Sequence, residues 1–143
     1  MYIYSPIENI NDNSIYLLNP VKNRKIKNSF FIKLILSNEN LTVNGVYIEI
    51  VIIEPKIETM FNKHRCYFPF EKNKNIIEKC KTIEDMILKK YKTKKKKVSL
   101  INNQLSKGCI ILSNCYPICK NNFILKISGI WESETEYGLS YKF

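Results

Sequence analysis

The stretch NIIEKCKTIEDMILKKY, residues 75–91, decides the fold, because it carries the one convincing helical pattern of the chain. Its apolar residues recur at spacings of three and four, as in an amphipathic helix, and they are Ile76, Cys80, Ile83, Ile87 and Tyr91. Lysines fill its last turn, where positive charge complements the helix dipole. The pattern therefore predicts one helix over residues 75–91.

Strand-like segments lie on both sides of this predicted helix. Before it, Phe30–Leu36 is rich in β-formers, and the turn signal Asn44-Gly45 leads into Val46–Ile53, where apolar side chains alternate. Residues 57–71 are predicted to be irregular and are rich in aromatic side chains. After the helix, β-patterned segments resume, and these are Val98–Ile101, Gly108–Leu112, Phe123–Trp131 and Tyr137–Phe143.

The order of strands, one helix and strands predicts a mainly β fold. An OB-like small antiparallel β-barrel, with the helix inserted between strands, is the commonest fold of this description. The alternative is an α+β twisted sheet with one packed helix. We expect a single domain over residues 1–143, since 45% of the residues are hydrophobic and suffice for one core. Residues 1–28 are the least patterned and are predicted to form a less-ordered N-terminal arm or a cap.

The cellular location follows from what the sequence lacks. No run approaches the roughly 18 to 20 apolar residues of a membrane span. The first 13 residues have neither the basic start nor the apolar block of a secretory signal. The five cysteines are an odd number in a chain large enough to fold without disulfides. We therefore expect an intracellular protein with reduced thiols and no membrane partner.

The net charge of +10 matters through its placement, because an AT-rich genome would by itself enrich Lys, which occurs 21 times against two Arg. Residues 86–131 contain neither Asp nor Glu. Codon bias does not remove acids from 46 consecutive residues, so this window predicts a localised basic surface. Its lysines are Lys89, Lys90, Lys92, Lys94, Lys95, Lys96, Lys97, Lys107, Lys120 and Lys126.

The densest part of this window is KKYKTKKKK, residues 89–97. Like charges at this density repel, which predicts an extended loop unless a polyanion neutralises it. Lysine with almost no arginine suits contacts to phosphates as point charges better than bidentate reading of guanine. These lysines, with Lys33 on an earlier strand, are predicted to bind a nucleic-acid backbone with little sequence preference. A targeting signal and an inert solvated loop are the alternatives.

Aromatic side chains supply the second half of a single-strand binding site, because bases stack on them. On the strand over residues 123–131, alternation predicts two faces, one with Phe123, Leu125, Ile127 and Trp131 and one with Ile124, Lys126, Ser128 and Ile130. Most aromatic residues of a β fold are expected in the core. The candidates for base stacking are Tyr67, Phe68, Phe70, Tyr116, Trp131 and Tyr141.

The C-terminal segment carries a family resemblance. The pattern Gly129-Ile130-Trp131-Glu132, a short polar turn and then YGLSYKF at residues 137–143 resembles the C-terminal end of small single-stranded-DNA-binding proteins of large eukaryotic DNA viruses and related mobile elements. The resemblance covers about 20 of the 143 residues. It implies an OB-like core and a role in coating DNA during replication or recombination.

Metal and catalytic sites have weaker support. A zinc site would draw on His64, Cys66, Cys115 and Cys119, although His-x-Cys and Cys-x-x-x-Cys are loose signals. A metal-dependent nuclease would need Glu49 and Glu54 with Lys56, where Glu-x-Lys follows a strand. With a single His and no nucleophile context, we expect no enzyme and no cofactor.

The sequence thus predicts a single-stranded-nucleic-acid-binding protein with little sequence preference, which coats strands in viral replication or recombination. DNA is favoured over RNA, and the location would be the host nucleus or a cytoplasmic viral factory. Self-association into a homo-oligomer stays open. The alternative is a non-enzymatic viral structural or interaction protein with a basic surface.

Overall fold

The computed structural model describes residues 5–112 and 121–143. Within them the fold is mainly β, and the helix predicted over residues 75–91 is confirmed as α1 (Lys74–Lys89), with a second helix, α2 (Leu100–Ser106). The strands are β1 (Ser5–Pro6), β2 (Ile15–Leu17), β3 (Val21–Lys22), β4 (Phe30–Ser37), β5 (Thr42–Asn44), β6 (Val46–Val51), β7 (Lys56–Met60), β8 (Lys63–Tyr67), β9 (Lys96–Lys97), β10 (Cys109–Leu112), β11 (Asn122–Glu132) and β12 (Glu136–Lys142).

The longest strand, β11, is the centre of the main sheet. Along one edge it pairs antiparallel with β12. Along its other edge, the first half of β11 pairs with β6 and the second half pairs with β4. Short parallel pairings extend the sheet, since β1 lies beside β6 and β9 lies beside β12. The sheet order β1-β6-β11-β12-β9 results, with β2, β3 and β5 attached through β4.

The turn signal Asn44-Gly45 marks the point where the chain passes from one sheet partner to another. Before it β5 pairs with β4, and after it β6 pairs with β11. Gly45 has a φ of +81°, and a Cβ at this position would lie 2.9 Å from the carbonyl oxygen of Ile127. Glycine meets both demands, because other residues disfavour positive φ and need room for a Cβ.

The predicted OB-like barrel is not confirmed. A second sheet has the order β10-β8-β7, and neither sheet closes on itself in the parts of the chain that the structure describes. The described chain is instead mainly β with two open sheets, one long helix, α1, and the short helix α2. Antiparallel sheets of this kind commonly bury one face and leave the other to solvent.

The core lies between the two helices and one face of the main sheet, here called the inner face. The inner face carries side chains that are at most 1% exposed, among them Ile32, Val46, Ile48, Ile50, Leu125, Ile127, Ile130 and Leu139. From α1 the buried side chains are Ile77, Cys80, Ile83, Glu84, Ile87 and Leu88. The Tyr141 hydroxyl, on the inner face of β12, donates to the Leu100 carbonyl at the start of α2, so the helices lie on this side.

Glu84 explains why a helix forms where a strand was predicted at Val98–Ile101. Its side chain is buried, and its carboxylate accepts the backbone N–H groups of Ile101 at 2.9 Å and Asn102 at 3.0 Å. These are N–H groups of the first turn of α2, which have no partner within the helix. The strand prediction is wrong because the cap comes from a residue 17 positions away in the sequence.

Residues 57–71, predicted to be irregular, instead contain the β7–β8 hairpin. Phe61 and Asn62 form its turn with φ values of 50° and 62°, the two positive angles of a type I′ turn. The sequence signals for this turn are Asn-Gly or Asp-Gly, so Phe-Asn gives little local indication of a hairpin. β8 then pairs with β10, which completes the second sheet.

The described part of the predicted N-terminal arm or cap, residues 5–28, contributes to both the sheet and the core. It supplies β1, β2 and β3, and it buries Ile7 and Ile15. In the described ranges of the chain, no helix is long and apolar enough to cross a membrane.

Candidate nucleic-acid interface

A β-bulge in β11 decides which side chains share the outer face of the main sheet, the face opposite the helices. Between the pairs at Ile127 and Gly129, β11 has one residue, Ser128, more than β12. Up to Ile127 alternate side chains point to the core, and after the bulge Ile130 does so. The prediction that Trp131 shares a face with Ile127, and that Ile130 opposes it, is wrong because strict alternation takes no account of an inserted residue. Trp131 lies on the outer face.

Two aromatic rings lie on the outer face beside glycines of neighbouring strands. Phe31 on β4 is paired with Trp131 on β11, which is paired in turn with Gly138 on β12. A Cβ added to Gly138 would lie 2.9 Å from Cζ2 of Trp131, and one added to Gly129 would lie 2.9 Å from Cζ of Phe31. The rings therefore pack closely on the backbone, and both residues stay only partly buried.

Four lysines lie on the same face as these rings. Register places Lys33 opposite Gly129, and Lys126 opposite Lys142. Lys96 on β9 is paired with Glu136, so it also lies on this face. We call the whole group the outer-face site, and it consists of Phe31, Lys33, Tyr47, Lys96, Lys126, Trp131 and Lys142.

The charges on the outer face are predominantly positive. Lys126 Nζ lies 5.4 Å from the centroid of the Tyr47 ring, a cation–π distance. Two carboxylates border the site, and one of them, Glu49, accepts a hydrogen bond from Asn122 Nδ2 at 2.5 Å. Glu136, beside Lys96, is the other. Since the site has four lysines against these two acids, it can attract an anionic ligand.

The lysine run at residues 89–97 is largely irregular between α1 and β9, as predicted, but some of its side chains form ion pairs and others do not. Lys90 pairs with Asp12 at 2.7 Å, Lys97 with Asp85 at 3.2 Å, and Lys95 with Glu132 at 3.6 Å. All three acids lie outside the acid-free window. Lys96–Lys97 forms β9. Among the described residues, no ion pair involves the remaining lysines of the run, which are Lys89, Lys92, Lys94 and Lys96.

The Lys95–Glu132 ion pair is expected to contribute more to stability than the other two pairs, because Glu132 is nearly buried. Its side chain is only 9% exposed, and its carboxylate also lies near the Tyr91 hydroxyl. Burial raises the pKa of Tyr91, and the nearby Glu132 carboxylate raises it further. Removal of Lys95 would leave a nearly buried carboxylate without its cation, which is costlier than breaking a surface pair.

This division predicts different effects for two matched triple variants. Replacing Lys90, Lys95 and Lys97 by glutamine is expected to lower the free energy of unfolding by about 1–3 kcal/mol, because three ion pairs are lost and one is partly buried. Replacing Lys89, Lys92 and Lys94 changes the net charge equally and is expected to leave stability unchanged or slightly raised. Urea unfolding measures both, and equal losses in the two variants would contradict this assignment.

Two of the predicted stacking residues are unavailable for bases. Phe68 is 7% exposed within the core. Tyr141 lies on the inner face, where its hydroxyl contacts the Leu100 carbonyl and the side chain of Gln104. Burial, together with the nearby Glu84 carboxylate, raises the pKa of Tyr141 to about 12. Both aromatic residues therefore contribute to packing, contrary to the prediction.

The other predicted residues lie away from the outer-face site or outside the described residues. Tyr67 is exposed on β8, and Phe70 is exposed just before α1, with Lys74 Nζ 6.0 Å from its ring. Lys107 follows the last residue of α2, on the helix side of the sheet. Tyr116 and Lys120 lie outside the described residues.

Of the four predicted zinc ligands, two lie within the described residues and two lie outside them. His64 Nδ1 is 2.9 Å from Thr59 Oγ1, and the Cys66 thiol is buried, which raises its pKa to about 11. Cys115 and Cys119 lie outside the described residues, so the four-ligand set stays a prediction. Within residues 5–112 and 121–143, no group of three or more His, Cys, Asp or Glu could hold a metal ion.

The carboxylates of the nuclease alternative are each engaged by a different protein group. Glu49 accepts from Asn122, and Glu54 pairs with Lys72 at 2.6 Å. A two-carboxylate metal site would need both acids to face one point in space. These contacts therefore give the nuclease hypothesis no support.

Sequence reasoning misses three members of the outer-face site, Phe31, Tyr47 and Lys142. A signal exists for two of them. Phe31 and Lys33 lie two residues apart on one strand, so alternation places them on one face. Tyr47 belongs to the partly polar face of β6. Lys142 is indicated only in part, because alternation with Leu139 and Tyr141 gives its outward face while its place beside Lys126 depends on the pairing of β12 with β11.

Comparison with known proteins finds no relative: no protein-family model, no curated protein and no solved structure matches the chain. The resemblance of the C-terminal segment to viral single-stranded-DNA-binding proteins therefore stays a prediction.

Proposed function

We propose that the protein binds single-stranded nucleic acid across the outer-face site. The observation that supports this best is the co-location of Phe31 and Trp131 with four lysines on one sheet face that no helix covers in the described residues. Nonspecific single-strand binders combine these two elements, a positively charged surface that follows the backbone and aromatic rings on which bases stack.

The layout fits an extended strand that runs across the sheet. Lys33 on β4 and Lys96 on β9 are separated by three strand spacings, or about 14 Å. The two rings lie between them, and each stacked base would contribute about 1–3 kcal/mol. The proposal uses an open sheet face, so it does not require an OB-like barrel to close.

The chemistry of the site favours binding with little sequence preference. Lysine contacts phosphates as a point charge, and every base has a face that can stack. Such binding would serve to coat strands in replication or recombination, the role that the C-terminal resemblance implies. That resemblance is also the reason for preferring DNA over RNA.

Titration with a 30-nucleotide oligo-dT tests the proposal. Trp131 is the single tryptophan of the chain, so its fluorescence reports directly on the site and is expected to be quenched. On single strands, each neutralised phosphate contributes about −0.7 to the slope of log affinity against log salt concentration. Four lysines therefore predict a slope near −3. An RNA oligonucleotide and a duplex of equal length serve as comparisons.

Absence of oligo-dT binding at low salt would refute the proposal, and so would binding that leaves the fluorescence of Trp131 unchanged. The alternative of a structural or interaction protein makes a different prediction. Such a protein should form large assemblies that survive nuclease treatment, whereas assemblies of a strand-coating protein should dissociate. Size-exclusion chromatography before and after nuclease treatment separates the two.

A further inference from the structure

The β7–β8 hairpin has an open strand edge that the outer-face site does not use. In the described part of the chain β7 pairs only with β8, and all five residues of β7 are exposed. At the tip of the hairpin Phe61 is 90% exposed and Met60 is 65% exposed. An exposed edge strand is a template for another strand, and most proteins obstruct such edges. The hairpin therefore has the features of an interaction element.

The hairpin turn determines which backbone groups face the open edge. Met60 and Lys63 flank the two-residue turn, so they form a hydrogen-bonded pair. Hydrogen-bonded and non-hydrogen-bonded positions alternate along an antiparallel pair. The N–H and C=O groups of Ile57 and Thr59 therefore point away from β8, toward the open edge.

A second copy of β7 complements this edge in one antiparallel register. With a two-fold axis at Ile57, the two Ile57 residues exchange two hydrogen bonds, and each Thr59 N–H meets the Pro55 carbonyl of the other copy. Lys56 of each copy then lies opposite Glu58 of the other. Non-hydrogen-bonded positions of this kind bring side chains closest, and opposite charges there are stabilising.

Neighbouring registers lack this complementarity. An axis at Glu58 would place two carboxylates opposite each other, which is destabilising. An axis at Thr59 would place Glu58 opposite Met60, so the carboxylate would gain no opposite charge from the second copy. Lys56 and Glu58 form an ion pair at 3.8 Å within one copy, and their side chains stay 78% and 49% exposed, so both can also reach a second copy.

We propose that the protein self-associates through β7 into a two-fold symmetric dimer, in which the two three-stranded sheets become one sheet of six strands. The interface is isologous, because the same strand contributes from both copies. Main-chain hydrogen bonds supply affinity, as in other cases of strand addition, and the Lys56–Glu58 pairs select the register.

Charge-reversal substitutions at Lys56 and Glu58 test the proposed dimer. Lys56→Glu places four acids along the shared edge, and Glu58→Lys places four lysines there. Each variant is expected to weaken dimerisation at least about tenfold, measured by sedimentation velocity on the nuclease-treated full chain. An equimolar mixture of the two variants restores both opposite-charge pairs and is expected to form a heterodimer with near wild-type affinity.

Matched controls are available on the exposed face of α1, where Lys81→Glu and Glu78→Lys change the charge equally away from β7. They are expected to leave dimerisation intact. A wild-type chain that stays monomeric at the highest soluble concentration overturns the proposal, and so does a mixture of the two variants that fails to associate. A hairpin that binds nucleic acid instead would show opposite effects of Lys56→Glu and Glu58→Lys on oligo-dT affinity without any effect on self-association.

Discussion

Replacing Lys33, Lys126 and Lys142 by glutamine is expected to weaken oligo-dT binding about 100-fold at 0.1 M salt. Each lysine that neutralises a phosphate releases counterions, and three such contacts correspond to about two units of the salt slope. The slope of the variant is therefore expected to fall from about −3 to about −1. Fluorescence anisotropy of a labelled 30-mer at several salt concentrations measures affinity and slope together.

The matched control replaces Lys63, Lys81 and Lys107, three exposed lysines that no ion pair involves among the described residues. They lie on β8, on α1 and after α2, away from the outer-face site. If total charge drove binding, the two triple variants would lose affinity equally, and the outer-face assignment would be refuted. Lysines are better targets than Trp131, because that ring packs on Gly138 and its removal would also disturb the sheet.

Replacing Glu84 by alanine is expected to lower the free energy of unfolding by about 2–4 kcal/mol. The carboxylate accepts two backbone N–H groups at the start of α2 and is fully buried, so its removal leaves two donors unsatisfied and a cavity beside Cys80 and Tyr141. Urea unfolding measures the loss. Glu78→Gln, on the exposed face of the same helix, is the control and is expected to change stability little.

The pH dependence of this effect has a definite sign. Burial raises the pKa of Glu84, and the two N–H groups offset this only in part. A carboxyl whose folded-state pKa lies above its unfolded value favours the folded state below the unfolded pKa, and this contribution is lost as pH rises through the folded-state pKa. The stability advantage of wild type over Glu84→Gln should therefore shrink as pH rises from about 4, the unfolded-state pKa, through the folded-state pKa. An advantage that grows over this interval would contradict the assignment.

Elements whose stabilising partners lie nearby in the sequence were predictable. The periodicity of residues 75–91 identified α1, because its buried stripe recurs within the helix itself. β6 and the two C-terminal strands were found because alternation and turn signals are likewise local. The basic window was found for the same reason, since charge density is a property of neighbouring residues.

Elements that depend on distant residues were missed. α2 needs its cap from Glu84. The β7–β8 hairpin is local and was missed for another reason, because Phe61 and Asn62 form its turn without a glycine. The lysine run has the composition of a repelling loop, yet three of its charges are neutralised by acids near positions 12, 85 and 132. The partners Lys90 and Asp12, and likewise Lys95 and Glu132, lie too far apart in the sequence for any local pattern to reveal them.

The sequence by itself determined a mainly β chain with one long helix and a basic stretch rich in lysine. These are consequences of periodicity and composition, which neighbouring residues define. Only the tertiary structure decided which side chains form the outer-face site. One inserted residue, Ser128, turns Trp131 away from the core to the face that carries Lys126, and strand pairing places Phe31 beside Trp131 and Lys142 beside Lys126. The pairing of distant strands is determined by the burial of their inner faces. That burial depends on the whole core and not on any one segment.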